Sequence, residues 1–160
     1  MRIGVVSDTH NRLPNVERIV ELFNAAAVER VIHTGDVTQA RTIHALARLR
    51  APLIGVFGNN DEREQIAEAA AMHGFAFHDG PLRLTLAGRR IVVVHDPREL
   101  AAVRDVEHDL ALNGHDHRYT VEREGGRLRF NPGECAGHIA GYNAVGVVDL
   151  ATLEIELLKF

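Results

Sequence analysis

Apolar residues in this chain fall into short runs, and each run ends on a polar motif. Ile3-Gly-Val-Val-Ser7 leads into Asp8-Thr9-His10, and Val31-Ile32-His33-Thr34 into Gly35-Asp36. Leu53-Ile-Gly-Val-Phe57 leads into Gly58-Asn59-Asn60-Asp61, Ile91-Val-Val-Val94 into His95-Asp96, and Leu110-Ala-Leu-Asn113 into Gly114-His115-Asp116-His117. Such near-continuous β-branched runs are typical of strands buried on both faces. Between the first three runs the apolar spacing becomes helical. Val16, Ile19, Val20 and Phe23 predict a helix over 14–27, and Ile43, Leu46 and Leu49 predict one over 38–49. The acidic turn Asp61-Glu62-Arg63-Glu64 predicts a third helix, running to about His73. With strands at 2–7, 30–34 and 53–57, the βαβαβ order implies parallel pairing and right-handed crossovers.

The second half changes character. Leu82–Leu86 and Arg90–Val94 around Ala87-Gly88 predict a hairpin, and a short helix near 97–105 precedes a strand at 109–113. Tyr119–Arg123 and Arg127–Phe130 around Glu124-Gly125-Gly126 predict a second hairpin, and Asn143–Asp149 with Leu153–Leu158 a third. Parallel first and antiparallel later, the elements fit an α/β fold of two mixed sheets packed face to face with helices outside. No linker breaks the chain, so a single domain over 1–160 is expected.

Composition adds limits. Hydrophobic residues at 46% and charged residues at 25% are ordinary globular values. A formal charge of −4 argues against a stable nucleic-acid complex, which needs clustered Lys and Arg. The single cysteine, Cys135, excludes an intrachain disulfide and favours a reducing, cytoplasmic setting. No signal peptide is evident, and no apolar stretch approaches the ~20 residues that a membrane helix needs.

The chemistry lies in the polar motifs. In folds of this class, ligands bind outside the carboxyl ends of the strands. Asp, His and Asn delivered there by five strands are suited to holding metal. Alternate residues of an extended segment point the same way, so Asp8/His10 and His115/His117 can each face one centre. Asp36 has two oxygens with which to bridge ions, and Asn59 offers a neutral amide oxygen. Mixed imidazole and carboxylate donors favour Mn²⁺, Fe²⁺, Co²⁺, Ni²⁺ or Zn²⁺ over Mg²⁺ and Ca²⁺.

The series D-x-H, GD, GN-x-D, a lone His after an apolar strand, and GH-x-H resembles that of the calcineurin-like metallophosphoesterases. Asn131-Pro132-Gly133 resembles the NPG turn of their small prokaryotic phosphodiesterase branch. The resemblance implies an αββα sandwich and a binuclear centre, with Mn²⁺ favoured. One ion would take Asp8, His10 and His117, the other Asn59, His95 and His115, and Asp36 would bridge them. A hydroxide held by both ions would attack the phosphorus of a small phosphodiester. Phosphomonoester hydrolysis, or nucleotide pyrophosphate hydrolysis, is the alternative for the same site. A non-catalytic protein-binding scaffold is a remote alternative, because a scaffold has no reason to keep the ligand set. Many relatives carry His where this chain has Asn60, and that His is thought to assist the leaving oxygen. Asn60 is therefore the candidate catalytic and substrate-contacting position, with an amide that transfers no proton near neutral pH.

Other residues have blander readings. Asp61 is expected to cap a helix, and Cys135 to be buried rather than reactive. Arg12 is expected in a solvated loop. His33 is either a partner of a ligand or a buried strand-end residue. His44, His73, His78 and His108 are expected to be surface or core residues. His138, soon after the Asn-Pro-Gly turn, is a candidate substrate contact. The apolar C-terminal hairpin around Leu153–Phe160 offers an edge or face for a homodimer.

Overall fold

A computed structural model describes residues 1–160 except 104, 139 and 140. Strands β1 (Arg2–Val6), β2 (Arg30–His33), β3 (Leu53–Val56) and β4 (Ala76–His78) pair in parallel. On the other edge of β1, β10 (Ala144–Asp149) and then β11 (Glu154–Lys159) add antiparallel, giving the order β11-β10-β1-β2-β3-β4. The second sheet is built from β5 (Leu82–Leu86), β6 (Arg89–Val93), β7 (Leu110–Leu112), β8 (Tyr119–Glu124) and β9 (Arg127–Pro132), in the order β5-β6-β7-β9-β8. Its central strands β6, β7 and β9 run parallel, and the hairpin partners β5 and β8 flank them antiparallel.

The period-2 alternation of the strands sorts their side chains into two cores. Ile3 and Val5 of β1 face the second sheet and pack with Ile91, Val93, Leu110, Leu112, Leu128 and Phe130. Val6 faces the other way, into a layer with Val16, Ile19 and Phe23 of α1 (Leu13–Ala25), Ile43 and Leu46 of α2 (Ala40–Leu46), and Ile66 of α3 (Arg63–Met72). Between the sheets, β10 presents Gly146 to Phe130. A Cβ there would lie 2.3 Å from the Phe130 ring.

The structure departs from the periodicity in three places. The short strand β4 has only Phe77 buried, too few positions to register as alternation. Helix α2 is shorter than the expected 38–49, although Leu49 beyond its end is still buried. The outer layer of the second sheet is a 3-10 segment, Pro97–Val103, where a short helix near 97–105 is expected; position 104 lies outside the described residues. It covers the sheet lightly, with Val103 packed on Val92 and Val94.

Phe130 is fully buried between the sheets. Phe130→Ala should cost about 3–5 kcal/mol of stability, the usual range for a buried aromatic truncation. Urea unfolding at unchanged m-value measures it, and a loss under 1 kcal/mol would contradict the packing described.

Candidate metal centre

The carboxyl ends of β1, β2 and β3 in one sheet, and of β6 and β7 in the other, open toward the same edge of the sandwich. The loops that follow carry Asp8 and His10, Asp36, Asn59 and Asn60, His95, and His115 and His117. These loops are tied to one another through the backbone. Asp8 N–H donates to Gly35 O (3.1 Å), His10 N–H to Asp36 O (3.1 Å), Gly114 N–H to His95 O (3.0 Å) and Cys135 N–H to Asp8 O (3.2 Å). Asp8, His10, Asp36, His115 and His117 all have positive φ, between 40° and 75°. Side chains rarely adopt this region, and such strain clusters where surrounding structure over-determines it. Two glycines let the loops close. A Cβ on Gly58 would stand 2.1 Å from Asp36 Oδ1, and one on Gly114 would stand 1.9 Å from Ser7 Oγ.

All seven expected ligands converge. Asp36 Oδ2 lies 3.4 Å from His10 Nε2 and 3.5 Å from His95 Nε2. Asp8 Oδ1 faces His117 Nε2 at 3.4 Å and His10 Nε2 at 3.8 Å. Asn59 Oδ1 sits 3.0 Å from His95 Nε2 and 3.1 Å from His115 Nδ1. The His95 Nδ1 contact with Thr34 O, at 2.9 Å, requires a proton on Nδ1. In the neutral ring, Nε2 therefore turns a lone pair toward Asn59 and Asp36. Asp8 Oδ1 and His10 Nε2 are buried and have no hydrogen-bond partner among the described residues. Acceptors facing acceptors, with two buried atoms left over, fit a cation. Asp8, His10 and His117 offer atoms within 4.8 Å of one another, as do Asp8, Asp36 and His95.

Charge adjusts to this crowding. Burial pushes the Asp8 carboxyl up, but the nearby imidazoles of His10 and His117 and the bond from Ser7 outweigh it and hold it well below the usual carboxylate range. Burial likewise opposes ionisation of Asp36, and bonds from His95 and Asn60 bring it to about 2. Burial pulls His95 down, and Asp36 outweighs this and raises it to about 9. Without an ion, protons take the place of positive charge in the centre.

Other residues fall around the centre in different ways. Asn60 gives its backbone N–H to Asp36 Oδ1 (3.0 Å) and its Nδ2 to Asp36 Oδ2 (2.8 Å), so its amide is engaged with the carboxylate. Asp61 is not the helix cap expected. Glu62 stands at that position, without a side-chain bond, and Asp61 instead accepts the N–H groups of Gly58 (2.7 Å) and Thr38 (2.5 Å). It thus joins the second and third loops. His33 joins the first two: Nδ1 accepts Gly35 N–H (3.1 Å), which leaves Nε2 as the donor to Thr9 Oγ1 (3.2 Å). Burial keeps His33 neutral, with a pKa lowered to about 4. Arg12 is exposed, and Cys135 is buried with Sγ against Ala144 O (3.2 Å). His44 and His73 are exposed and bond each other at 2.9 Å, away from the centre.

Glu134 is the residue whose part the sequence did not reveal. Its carboxylate is 1% exposed, and Oε2 lies 3.1 Å from His117 Nδ1. The only signal was its place after the Asn-Pro-Gly turn. Half-exposed His138 stacks on His117, with centroids 5.2 Å apart, and its Nδ1 is 3.9 Å from the same Glu134 oxygen.

Residues 1–153 match the family model of the calcineurin-like phosphoesterase superfamily domain. The chain is 32% identical over 154 residues to phosphodiesterase MJ0936 of Methanocaldococcus jannaschii, covering 93% of each chain. It is 27% identical over 180 aligned positions to phosphodiesterase YfcE of Escherichia coli K12, covering 99% of this chain and 93% of the other. Among solved structures, a novel archaeal phosphodiesterase superposes with a TM-score of 0.92 at 30% identity, over 100% of both chains.

The raised His95 makes a pH prediction for the metal-free protein. A histidine with its pKa raised from 6.5 to about 9 contributes stability that is fully present below 6.5 and lost as pH rises through about 9. At about 1.4 kcal/mol per unit, the loss across that window should reach a few kcal/mol at most. Urea unfolding in chelator across the window measures it. Stability that rises over the same range would refute the Asp36–His95 coupling.

Proposed function

This chain belongs to the calcineurin-like phosphoesterase superfamily, and on that footing we propose that it hydrolyses small phosphodiesters with two metal ions. The observation that carries the reading is the convergence of acceptor atoms, with Asp8 Oδ1 and His10 Nε2 buried and without a hydrogen-bond partner among the described residues. Asp8, His10 and His117 would hold one ion, Asn59, His95 and His115 the other, and Asp36 would serve both. The mixed donor set suits Mn²⁺, Fe²⁺, Co²⁺, Ni²⁺ or Zn²⁺, and Mn²⁺ is the preferred assignment. When bound, such ions supply Lewis acidity toward a phosphoryl oxygen and a hydroxide nucleophile near neutral pH.

The chain's own residues supply positioning. Thr34 O fixes the His95 ring, Asn60 holds both oxygens of Asp36, and the strained loops keep the carboxylates in place. No proton donor stands at position 60, so departure of the leaving oxygen depends on its own acidity. Both relatives compared by sequence are phosphodiesterases, which supports diesters over monoesters or pyrophosphates. The ligand cluster argues against a pure scaffold.

Metal-free protein reconstituted with Mn²⁺ should hold about two ions per chain, as two-metal catalysis requires, and should cleave a bis-aryl phosphate diester faster than the matching monoester. No bound metal, together with no metal-stimulated hydrolysis, would overturn the reading. Asp36→Ala should cost more than the ~10–100-fold typical of changes behind a ligand, because it removes a ligand from both ions. A second expectation concerns Asn60. Across a series of diesters, kcat/KM should rise steeply with leaving-group acidity. Asn60→His should flatten that slope, with gains on alkyl diesters of at most about 10²–10⁴-fold. Equal slopes at equal metal content would remove position 60 from the leaving-group side.

A further inference from the structure

We infer that Glu134 is a positioning residue for His117: its buried carboxylate fixes which ring nitrogen of His117 carries the proton and strengthens that ring as a ligand for one ion only. The inference rests on the two-ion reading above, in which His117 is a ligand.

The two histidines at the heart of the centre are backed differently. His95 Nδ1 rests on a neutral acceptor, Thr34 O, at 2.9 Å. His117 Nδ1 rests on a carboxylate, Glu134 Oε2, at 3.1 Å. A carboxylate in that position accepts only from an N–H, so Nδ1 holds the proton and Nε2 keeps its lone pair toward Asp8 Oδ1, 3.4 Å away. A carboxylate behind an imidazole also raises its basicity as a ligand, more than a carbonyl does. Glu134 is held for this task. It follows the turn in which Gly133 N–H bonds Asn131 Oδ1 (2.9 Å), its carbonyl accepts Ala144 N–H (3.1 Å), and it bridges to Asn143. The next residue, Cys135, gives its N–H to Asp8 O, so one segment supports two neighbours of the same ion position.

Among the described residues, no equivalent carboxylate backs the other ion position closely. Asp96 Oδ2 is 3.7 Å from His115 Nε2 but is engaged by the Arg98 guanidinium. Loss of the Glu134 charge should therefore weaken one metal-binding step and leave the other unchanged. A competing reading is that Glu134, His117 and His138, whose atoms lie within 4.8 Å of one another, hold an ion of their own.

The test is titration of metal-free protein with Mn²⁺ against a competing chelator, for wild type and Glu134→Gln. The expected result is two steps in wild type, with one weakened about 10–100-fold in the variant and the other unmoved. In a His117→Ala background, Glu134→Gln should have no further effect on metal binding. Two wild-type steps with both unchanged in the variant, both weakened together, or a third ion bound would overturn the role of Glu134 and leave the two-ion reading standing. No metal binding by wild type would overturn both. A measurement on wild type alone guards against a variant that does not fold. Long-range ¹H–¹⁵N spectra of the metal-free protein, taken where His117 is neutral, should show its proton on Nδ1; a proton on Nε2 would refute the inference.

Discussion

Acceptor atoms packed against acceptor atoms repel, and the loops of this protein hold such a cluster together. Asp36 Oδ2 is within 3.5 Å of His10 Nε2 and His95 Nε2, and Asn59 Oδ1 is within 3.1 Å of the same His95 nitrogen and of His115 Nδ1. Left-handed backbone at Asp8, His10, Asp36, His115 and His117 costs of order 1–3 kcal/mol each. The structure offsets this with ties that cross between loops. His33 joins the first loop to the second, Asp61 joins the second to the third, and the segment after β9 bonds back to Asp8. Neither His33 nor Asp61 belongs to the potential ion-holding groups among the described residues. Burial keeps the His33 ring neutral, although the Asp8 and Asp36 carboxylates favour its charge.

The fold class supplies the convergence. Parallel pairing in the middle of each sheet sends the carboxyl ends of β1, β2 and β3, and of β6 and β7, to one edge. The aliphatic core between the sheets then sets how far apart those two groups of loops stand. Phe130 against the bare backbone of Gly146 shows how close that approach is. Core packing and site geometry are thus coupled.

Much of this was legible in the sequence, for a physical reason. Buried parallel strands need long β-branched runs, and a site at strand ends puts its polar residues directly after them, so both signals sit side by side. Asp8, His10, Asp36, Asn59, His95, His115 and His117 were found in this way, and they meet in space. What was not legible depends on contacts far apart in sequence. Glu134 lies next to no apolar run, and its task appears only when β9 brings it to His117. Asp61 reads locally as a helix cap, because the acidic turn around it suits one; a bond from distant Thr38, together with one from nearby Gly58, takes the side chain instead. The strand β4 is too short to show a period, and the thin cover over the second sheet falls to 3-10 geometry, since Pro97–Val103 buries only Val103.

Asn60 shows how one position serves the centre in a different sense from the one its place in the motif suggests. An amide facing a leaving oxygen is a poor substitute for an imidazole. Here, though, the amide and the backbone of Asn60 both donate into the carboxylate that the two proposed ion positions share. Donation into a carboxylate draws charge from its oxygens, which weakens the carboxylate as a base. It leaves more positive character on whatever cation those oxygens hold. On the proposed reading, Asn60 forgoes proton transfer and instead makes the ions stronger Lewis acids. That exchange favours substrates whose leaving groups need little protonation. Selectivity in this chain would then come from the acidity of the leaving group and from the open edge where the loops meet, rather than from recognition of a particular substituent.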